Sequence, residues 1–206
     1  MPKLYFKYGA MGSSKTAQAL MVKFNYEEKG YCVGLMKPSV DDRDGTILVK
    51  SRIGLQDKGI LIGQELNLYD WYLKNRYDVL IVDEAQFLSG AQIEQLKDIA
   101  IEFVPVLCFG LKTDFQTHMF EGSKRLFEIA DSLMEIKSVC TCGRKAEVNA
   151  RIQDGKIVRT GEQILIGGNE SYIGLCYDCW RKGKVVSVPP VKKASIDCPD
   201  PTLSAE

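Results

Sequence analysis

The chain has 206 residues, and 27 Lys and Arg balance 27 Asp and Glu, so the formal net charge is +0. Hydrophobic residues make up 45% and charged residues 26%, which suits a globular protein with one large domain and a small one. No run approaches the ~20 apolar residues of a membrane span, the N-terminus lacks a signal-peptide pattern, and no basic excess points to nucleic acid. A cytoplasmic protein with neither a membrane nor a nucleic-acid partner is expected.

Residues 3–8 read as a strand that ends at the loop Gly9-Ala10-Met11-Gly12-Ser13-Ser14-Lys15-Thr16. Ala17, Leu20, Met21 and Phe24 then recur at helical spacing, and Glu27 to Gly30 closes that helix with Gly30 as its cap. Tyr31 to Met36 reads as a second strand, with Cys32 as a buried thiol. Asp41 to Gly45 is polar and turn-rich. Leu66, Leu68, Tyr69 and Leu73 predict a helix. Val79 to Val82 is a short continuous apolar run, the pattern of a strand covered on both faces. Ile93, Leu96, Ala100 and Phe103 predict another helix, and Val104 to Phe109 another strand, with Cys108 as a second buried thiol. Strands alternating with helices predict an α/β fold with a parallel sheet covered on both sides. The pattern changes near residue 138, where paired cysteines and a hairpin signal at Asp154-Gly155 announce a small β-rich unit. The predicted division is 1–138 for a nucleotide-binding α/β domain, 139–187 for the β-rich unit and 188–206 for a proline-containing, disordered tail that includes Cys198.

The loop Gly9–Thr16 follows the form G-x-x-x-x-G-K-[ST], in which backbone N–H groups wrap phosphates, the Lys neutralises them and the Ser or Thr hydroxyl reaches Mg²⁺. Gly9, Lys15 and Thr16 fit, while Ser14 stands where the second glycine belongs. A Cβ there narrows the space for the β-phosphate or strains the turn. The plain alternative is an ordinary strand-to-helix turn. The apolar run Val79–Val82 leads directly into Asp83-Glu84, and an acid at the end of a buried strand is the usual carboxylate for Mg²⁺ in such sites. Asp83 is the expected Mg²⁺ holder, with Thr16, and Glu84 stands near the γ-phosphate. If the acceptor is water, Glu84 orients it and the protein is an ATPase. If the acceptor is an alcohol, Glu84 takes its proton and the protein is a kinase.

Four of the seven cysteines form the array Cys140-x-Cys142 and Cys176-x-x-Cys179. Four thiolates suit a closed, tetrahedral structural Zn²⁺, against the alternatives of free thiols or two disulfides. The 33 residues between the pairs, 143–175, would be a metal-pinned excursion. Small β units lack a sufficient core, and a metal supplies folding free energy. Within the excursion, Gln163-Ile164-Leu165-Ile166-Gly167 and Tyr172 read either as a strand and turn or as a loop over a flat ligand.

Together the glycine loop, Asp83-Glu84-Ala85-Gln86-Phe87, Leu111 with Phe115 and Phe120, the four cysteines and the Gly167 to Tyr172 stretch resemble the tetrameric, zinc-containing thymidine kinases. The resemblance runs from about Lys3 to Trp180. It implies a RecA-like P-loop domain with a zinc-bearing lasso, ATP-dependent phosphorylation of the thymidine 5′-hydroxyl, a homotetramer and inhibition by dTTP. It assigns the general base to Glu84 and ATP contacts to Gly9–Thr16, Asp83 and Gln86. The nucleoside falls to Phe87, Leu111, Phe115, Phe120, Gln163, Ile164, Leu165, Ile166, Gly167 and Tyr172, with Asp41 and Arg43 near sugar and phosphate. Deoxyuridine is expected to be a weaker substrate. The competing readings are a RecA-like ATPase acting on nucleic acid and a nucleotide-binding regulator without chemistry.

Overall fold

Four strands rich in Val, Leu, Ile and Phe hold the centre of the molecule, and a loop or short helix leaves the C-terminal end of each toward one edge. The computed structural model describes residues 3–39, 47–163 and 172–185. In chain order, β1 (Leu4–Tyr8) leads through the glycine loop into α1 (Lys15–Glu27), then β2 (Val33–Pro38), a small hairpin of β3 (Leu48–Lys50) and β4 (Gln56–Lys58), and β5 (Ile60–Ile62). α2 (Leu68–Lys74), β6 (Val79–Val82), a single 3₁₀ turn (Ala85–Phe87), α3 (Gly90–Glu102), β7 (Val106–Gly110), α4 (Glu121–Ile129) and β8 (Ser132–Glu135) follow. The six-stranded sheet has the order β5-β2-β6-β7-β1-β8 and every pairing in it is parallel.

Alternation along the strands divides the core in two. Leu80 and Val82 of β6, with Leu4, Phe6, Val106 and Cys108, face α2, α3 and α4. Val79 and Ile81, with Leu35, Leu107 and Phe109, face α1 through Ala19 and Leu20. The expected parallel sheet with helices on both faces is the observed one, and β6 is buried on both sides. Parallel sheets need this double cover because the crossover helices lie on their faces.

Three residues lie on the other side of the surface from the one expected. Cys32 is exposed rather than buried, because β2 starts at Val33 and Cys32 lies in the approach to it, its N–H bonded to Asp78 Oδ2 at 2.7 Å. Met21 and Phe24 are 48% and 63% exposed rather than part of the apolar face of α1. The helix is phased instead by Lys15, which with Ala17, Ala19 and Leu20 forms the buried side. The Lys15 amine turns back to the Gly9 and Ala10 carbonyls at 3.2 and 2.9 Å, and small alanines then let the helix lie close on the sheet.

Beyond β8 the architecture changes. β9 (Ser138–Val139) pairs with β10 (Lys145–Ala146), and β11 (Val148–Gln153) lies between β12 (Lys156–Val158) and β13 (Tyr172–Leu175), all antiparallel. The predicted hairpin turn joins β11 to β12. Asp154 and Gly155 both have positive φ, 50° and 71°, the pairing that suits the twist of a two-residue hairpin. The short helix α5 (Tyr177–Arg181) closes the described part. Among the described residues, no helix is long and apolar enough to cross a membrane. Asp41, Arg43, Ile164, Leu165, Ile166, Gly167, Cys198 and the expected tail lie outside the described residues.

Candidate active site

The helix starts differ in how they are capped, and α1 and α4 both begin without a side-chain cap. The start of α3 has a complete capping box, Ser89 with Gln92, and α2 is capped by Asn67, whose side chain accepts from the Asp70 N–H. The start of α1 has no side-chain cap. Its first N–H groups face the bend made by residues 9–14, which is the arrangement that holds anions. Gly9 is needed at the root of the bend, since a Cβ there would collide with the Ile136 carbonyl and the Ser13 side chain. Ser14 takes φ 62°, ψ 28°, the left-handed conformation that a glycine adopts freely. Its side chain is exposed.

The chain after β6 lies at the same edge of the sheet. Asp83 is 4% exposed. The Thr16 hydroxyl and the Glu84 N–H hydrogen-bond its carboxylate, yet Oδ1 has no hydrogen-bond partner among the described residues. Burial, with the neighbouring Glu84 charge, pushes the Asp83 acid up to about 7 against the opposing pull of Thr16 and Lys15. A buried carboxylate oxygen without a partner costs free energy. A divalent cation beside Thr16 and Asp83 would remove that cost and favour the ionised form. These residues therefore fit Mg²⁺.

Glu84 has positive φ, 52°, at the turn into the 3₁₀ segment. The Gln86 side chain donates to Glu84 Oε2 at 2.6 Å, and its Oε1 accepts from the Leu111 N–H at 2.9 Å. Gln86 is thus engaged at both ends of its amide and ties the carboxylate to the segment after β7. Gly110 makes room for it, since a Cβ would sit 2.7 Å from Gln86 Oε1. Gly122 at the start of α4 does the same for the 3₁₀ turn: a Cβ there would stand 2.6 Å from both the Ala85 and Leu88 carbonyls.

Phe87 and Phe120 meet edge to face with centroids 5.6 Å apart. Leu111, Phe115 and Phe120 are buried. The segment between them is folded on Asp114, whose Oδ1 accepts the Gln116 and His118 N–H groups. Thr117 takes φ 73° in that turn.

The β-rich region is joined to this edge by polar pairs, and these were not foreseen from the sequence. Asn149 of β11, buried, accepts the Met11 N–H at 2.7 Å and donates to the Thr113 carbonyl at 2.6 Å. Gln163 donates to Asp114 Oδ2 at 2.9 Å and Gln116 to the Arg159 carbonyl at 3.0 Å. Gly174 lets β13 approach the loop, since a Cβ would lie 2.9 Å from the Met11 carbonyl. Arg151, also buried, stacks on Phe115 and donates to the Tyr172 hydroxyl at 2.8 Å. In the sequence Val148-Asn149-Ala150-Arg151-Ile152, alternation reads as a solvent-facing polar side. That side is in fact the one turned to the site.

The sulfur atoms of Cys140, Cys142, Cys176 and Cys179 all lie within 4.8 Å of one another. Cys140 resists burial through the N–H groups of Cys142 and Cys176, which favour its thiolate and pull it down to about 6. Cys179, hydrogen-bonded to the sulfurs of Cys142 and Cys176, is pushed up to about 12. A cluster in which further negative charge is opposed fits a tetrahedral cation, and four thiols at this separation fit Zn²⁺.

A thymidine kinase family model matches residues 2–180. A thymidine kinase of Streptococcus thermophilus is 42% identical over 197 residues, covering 94% of this chain and all of the relative. One from Zymomonas mobilis is 45% identical over 182 residues, covering 85% of this chain and 94% of its own. Among solved structures, the flagellar accessory protein FlaH of Methanocaldococcus jannaschii aligns with a TM-score of 0.44 at 11% identity, over 68% of this chain and 74% of that one.

Proposed function

Since the chain belongs to the thymidine kinase family, we propose that it transfers the γ-phosphate of ATP to the 5′-hydroxyl of thymidine. The observation that carries this reading is the pair Asp83-Glu84: a buried carboxylate oxygen with no partner beside Thr16, followed by a carboxylate held on Gln86.

Gly9 to Thr16 bind the triphosphate through the uncapped N–H groups of α1, and the Lys15 amine leaves the Gly9 and Ala10 carbonyls for the phosphate oxygens. Thr16 and Asp83 would hold Mg²⁺. The ion, when bound, neutralises charge that develops on the transferred phosphoryl group. Glu84 accepts the proton of the 5′-hydroxyl at its carboxylate as that oxygen attacks, and Gln86 serves the phosphate side by keeping the carboxylate in place. Phe87, Leu111, Phe115, Phe120 and Tyr172 give flat and apolar surfaces to the pyrimidine. Backbone groups from Gln163 to Gly167 meet its edge, and Asp41 and Arg43 serve the sugar and phosphate side. Exclusion of water by the lasso keeps ATP from hydrolysis.

The zinc-pinned region, with the division placed at residues 138 and 139, carries that lasso. A missing 5-methyl group costs only ~1–3 kcal/mol of discrimination, so deoxyuridine is a weaker substrate. The enzyme is a cytoplasmic homotetramer that supplies DNA synthesis and is inhibited by dTTP.

The test is purified protein with ATP and Mg²⁺, given thymidine, deoxycytidine or DNA. Thymidine monophosphate is expected, and its absence overturns the reading. ATP hydrolysis stimulated by DNA and weakened steeply by salt would put a nucleic-acid ATPase in its place. Glu84→Gln is expected to lower kcat by roughly 10²–10⁴-fold with ATP binding retained. Metal analysis is expected to find about one zinc per chain.

A further inference from the structure

Arg151 carries a charge that is 6% exposed, and among the described residues it has no carboxylate partner. Its contacts are of another kind. The guanidinium lies 3.7 Å from the centroid of the Phe115 ring and 5.3 Å from that of Tyr172. Nε donates to the Tyr172 hydroxyl at 2.8 Å, and an outer nitrogen donates to the carbonyls of Glu162 and Gln163 at 2.9 and 3.4 Å. Three separate pieces of chain therefore meet at one side chain: the segment after β7, the segment after β12, and the start of β13.

A guanidinium is the group suited to this. It is planar, so an aromatic ring can lie on its face while its edge donates in several directions. A buried charge solvated by ring faces and carbonyl dipoles is tolerable only while all of them stay in position. The cation thus fixes the Phe115 ring, the Tyr172 hydroxyl and the Gln163 main chain relative to one another.

We infer that Arg151 is a positioning residue for the nucleoside: it sets the aromatic floor and the backbone edge that the base meets, without itself taking part in phosphoryl transfer. This rests on the thymidine kinase reading given above. Lysine at this position would keep the charge but lose the stacking and the fork of donors. Arg151→Lys is expected to raise the KM for thymidine by about tenfold or more, the weight of one charge-assisted contact. The KM for ATP and the zinc content stay at wild-type values, and kcat stays within roughly threefold, as befits loss of binding that is uniform along the reaction.

Tyr172→Phe removes the hydroxyl partner and keeps the ring. It is expected to raise the thymidine KM by a smaller factor, about threefold, and the double variant is expected to match Arg151→Lys rather than multiply the two effects. An unchanged thymidine KM in both single variants, multiplicative effects, or an ATP KM that rises in parallel overturns the inference. So does loss of zinc from Arg151→Lys, which would make the residue a structural strut. Should Arg151→Lys fail to fold, Tyr172→Phe decides alone: an unchanged KM overturns the inference. A wild-type enzyme that forms no thymidine monophosphate overturns the kinase reading and this inference with it. A working enzyme with an indifferent Arg151→Lys variant overturns this inference alone.

Discussion

The parallel sheet is covered on both faces by two extensive apolar clusters, whereas the described residues between Ser138 and Val185 form one small cluster in which Cys140, Cys176 and Cys179 take part. The sheet can therefore bear local strain at its edge. Ser14, Glu84 and Thr117 all sit in left-handed backbone conformations there. The β-rich region depends on thiols, a buried amide and a buried guanidinium to hold its place. Its link to the sheet edge combines the packing of Ala10 into that small cluster with polar pairs: Asn149 to Met11 and Thr113, Gln163 to Asp114, Gln116 to Arg159. A rigid phosphate site and a polar seam lead to different failures when altered, and that difference can be measured.

The largest effect is expected on the sheet side. Asp83→Asn keeps the shape but removes the charge that the cation needs, and turnover should fall by roughly 10²–10³-fold. Stability should move the other way. The folded-state pKa of Asp83 lies at about 7, above its ordinary value of 3.8. The folded state thus binds the proton more tightly than the unfolded one, and stability from this group is lost as pH rises from about 4 to about 7. In the absence of Mg²⁺ and nucleotide, Asp83→Asn should therefore melt at least as high as wild type at pH 8, with the gain shrinking toward pH 4. Melting curves across that range check it, and a variant that is less stable at pH 8 contradicts the account of the site.

A smaller effect, of a different kind, is expected at the seam. Asn149→Ala leaves the half-buried Met11 N–H and the buried Thr113 carbonyl without their partner. Each such group costs about 1–3 kcal/mol. Because the amide touches the phosphate loop on one side and the segment leading to Phe115 on the other, the KM values for ATP and for thymidine should both rise. That contrasts with Arg151→Lys, which acts on the nucleoside alone. Kinetics with each substrate varied in turn distinguishes the two, and a change confined to one KM would show that Asn149 does not join the regions.

Much of the sheet was legible because its central strands are short apolar runs between polar or turn-forming segments, and the phosphate loop and Asp83-Glu84 fall where two of those runs end. The short strands β3, β4 and β5 were not, since three residues such as Gln56-Asp57-Lys58 carry no period. Helix α4 was missed for a related reason: it starts at Glu121-Gly122, where glycine reads as a breaker, although the glycine is required by the approach of the 3₁₀ turn. In α1 the apolar period pointed to Met21 and Phe24, while a single lysine bonded to the loop carbonyls decided which side of the helix is buried. The cysteine array was legible from spacing. Asn149 and Arg151 were hidden because polar residues on alternate positions of a strand normally face water, and only tertiary contact reveals that they face the site.

The smallest effect is expected at Ser14, and it bears on how rigid the phosphate site is. A non-glycine residue in the left-handed region costs about 1–2 kcal/mol. Glycine would relieve that cost, but it also gives the unfolded chain more freedom, which offsets about 0.4–1 kcal/mol. The exposed serine side chain has little packing to lose. Ser14→Gly should therefore raise stability by about 1 kcal/mol or less. Serine already takes the backbone angles that a glycine would take, φ 62° and ψ 28°, so the loop is already shaped for phosphate. Turnover should rise by less than about threefold, since no transition-state contact is gained. A gain of about tenfold or more would correspond to ~1.4 kcal/mol of barrier, and would show that the serine Cβ or hydroxyl intrudes on the phosphate itself. In that case the sheet edge, rather than the polar seam, would be the part of this site that is held back from its best geometry.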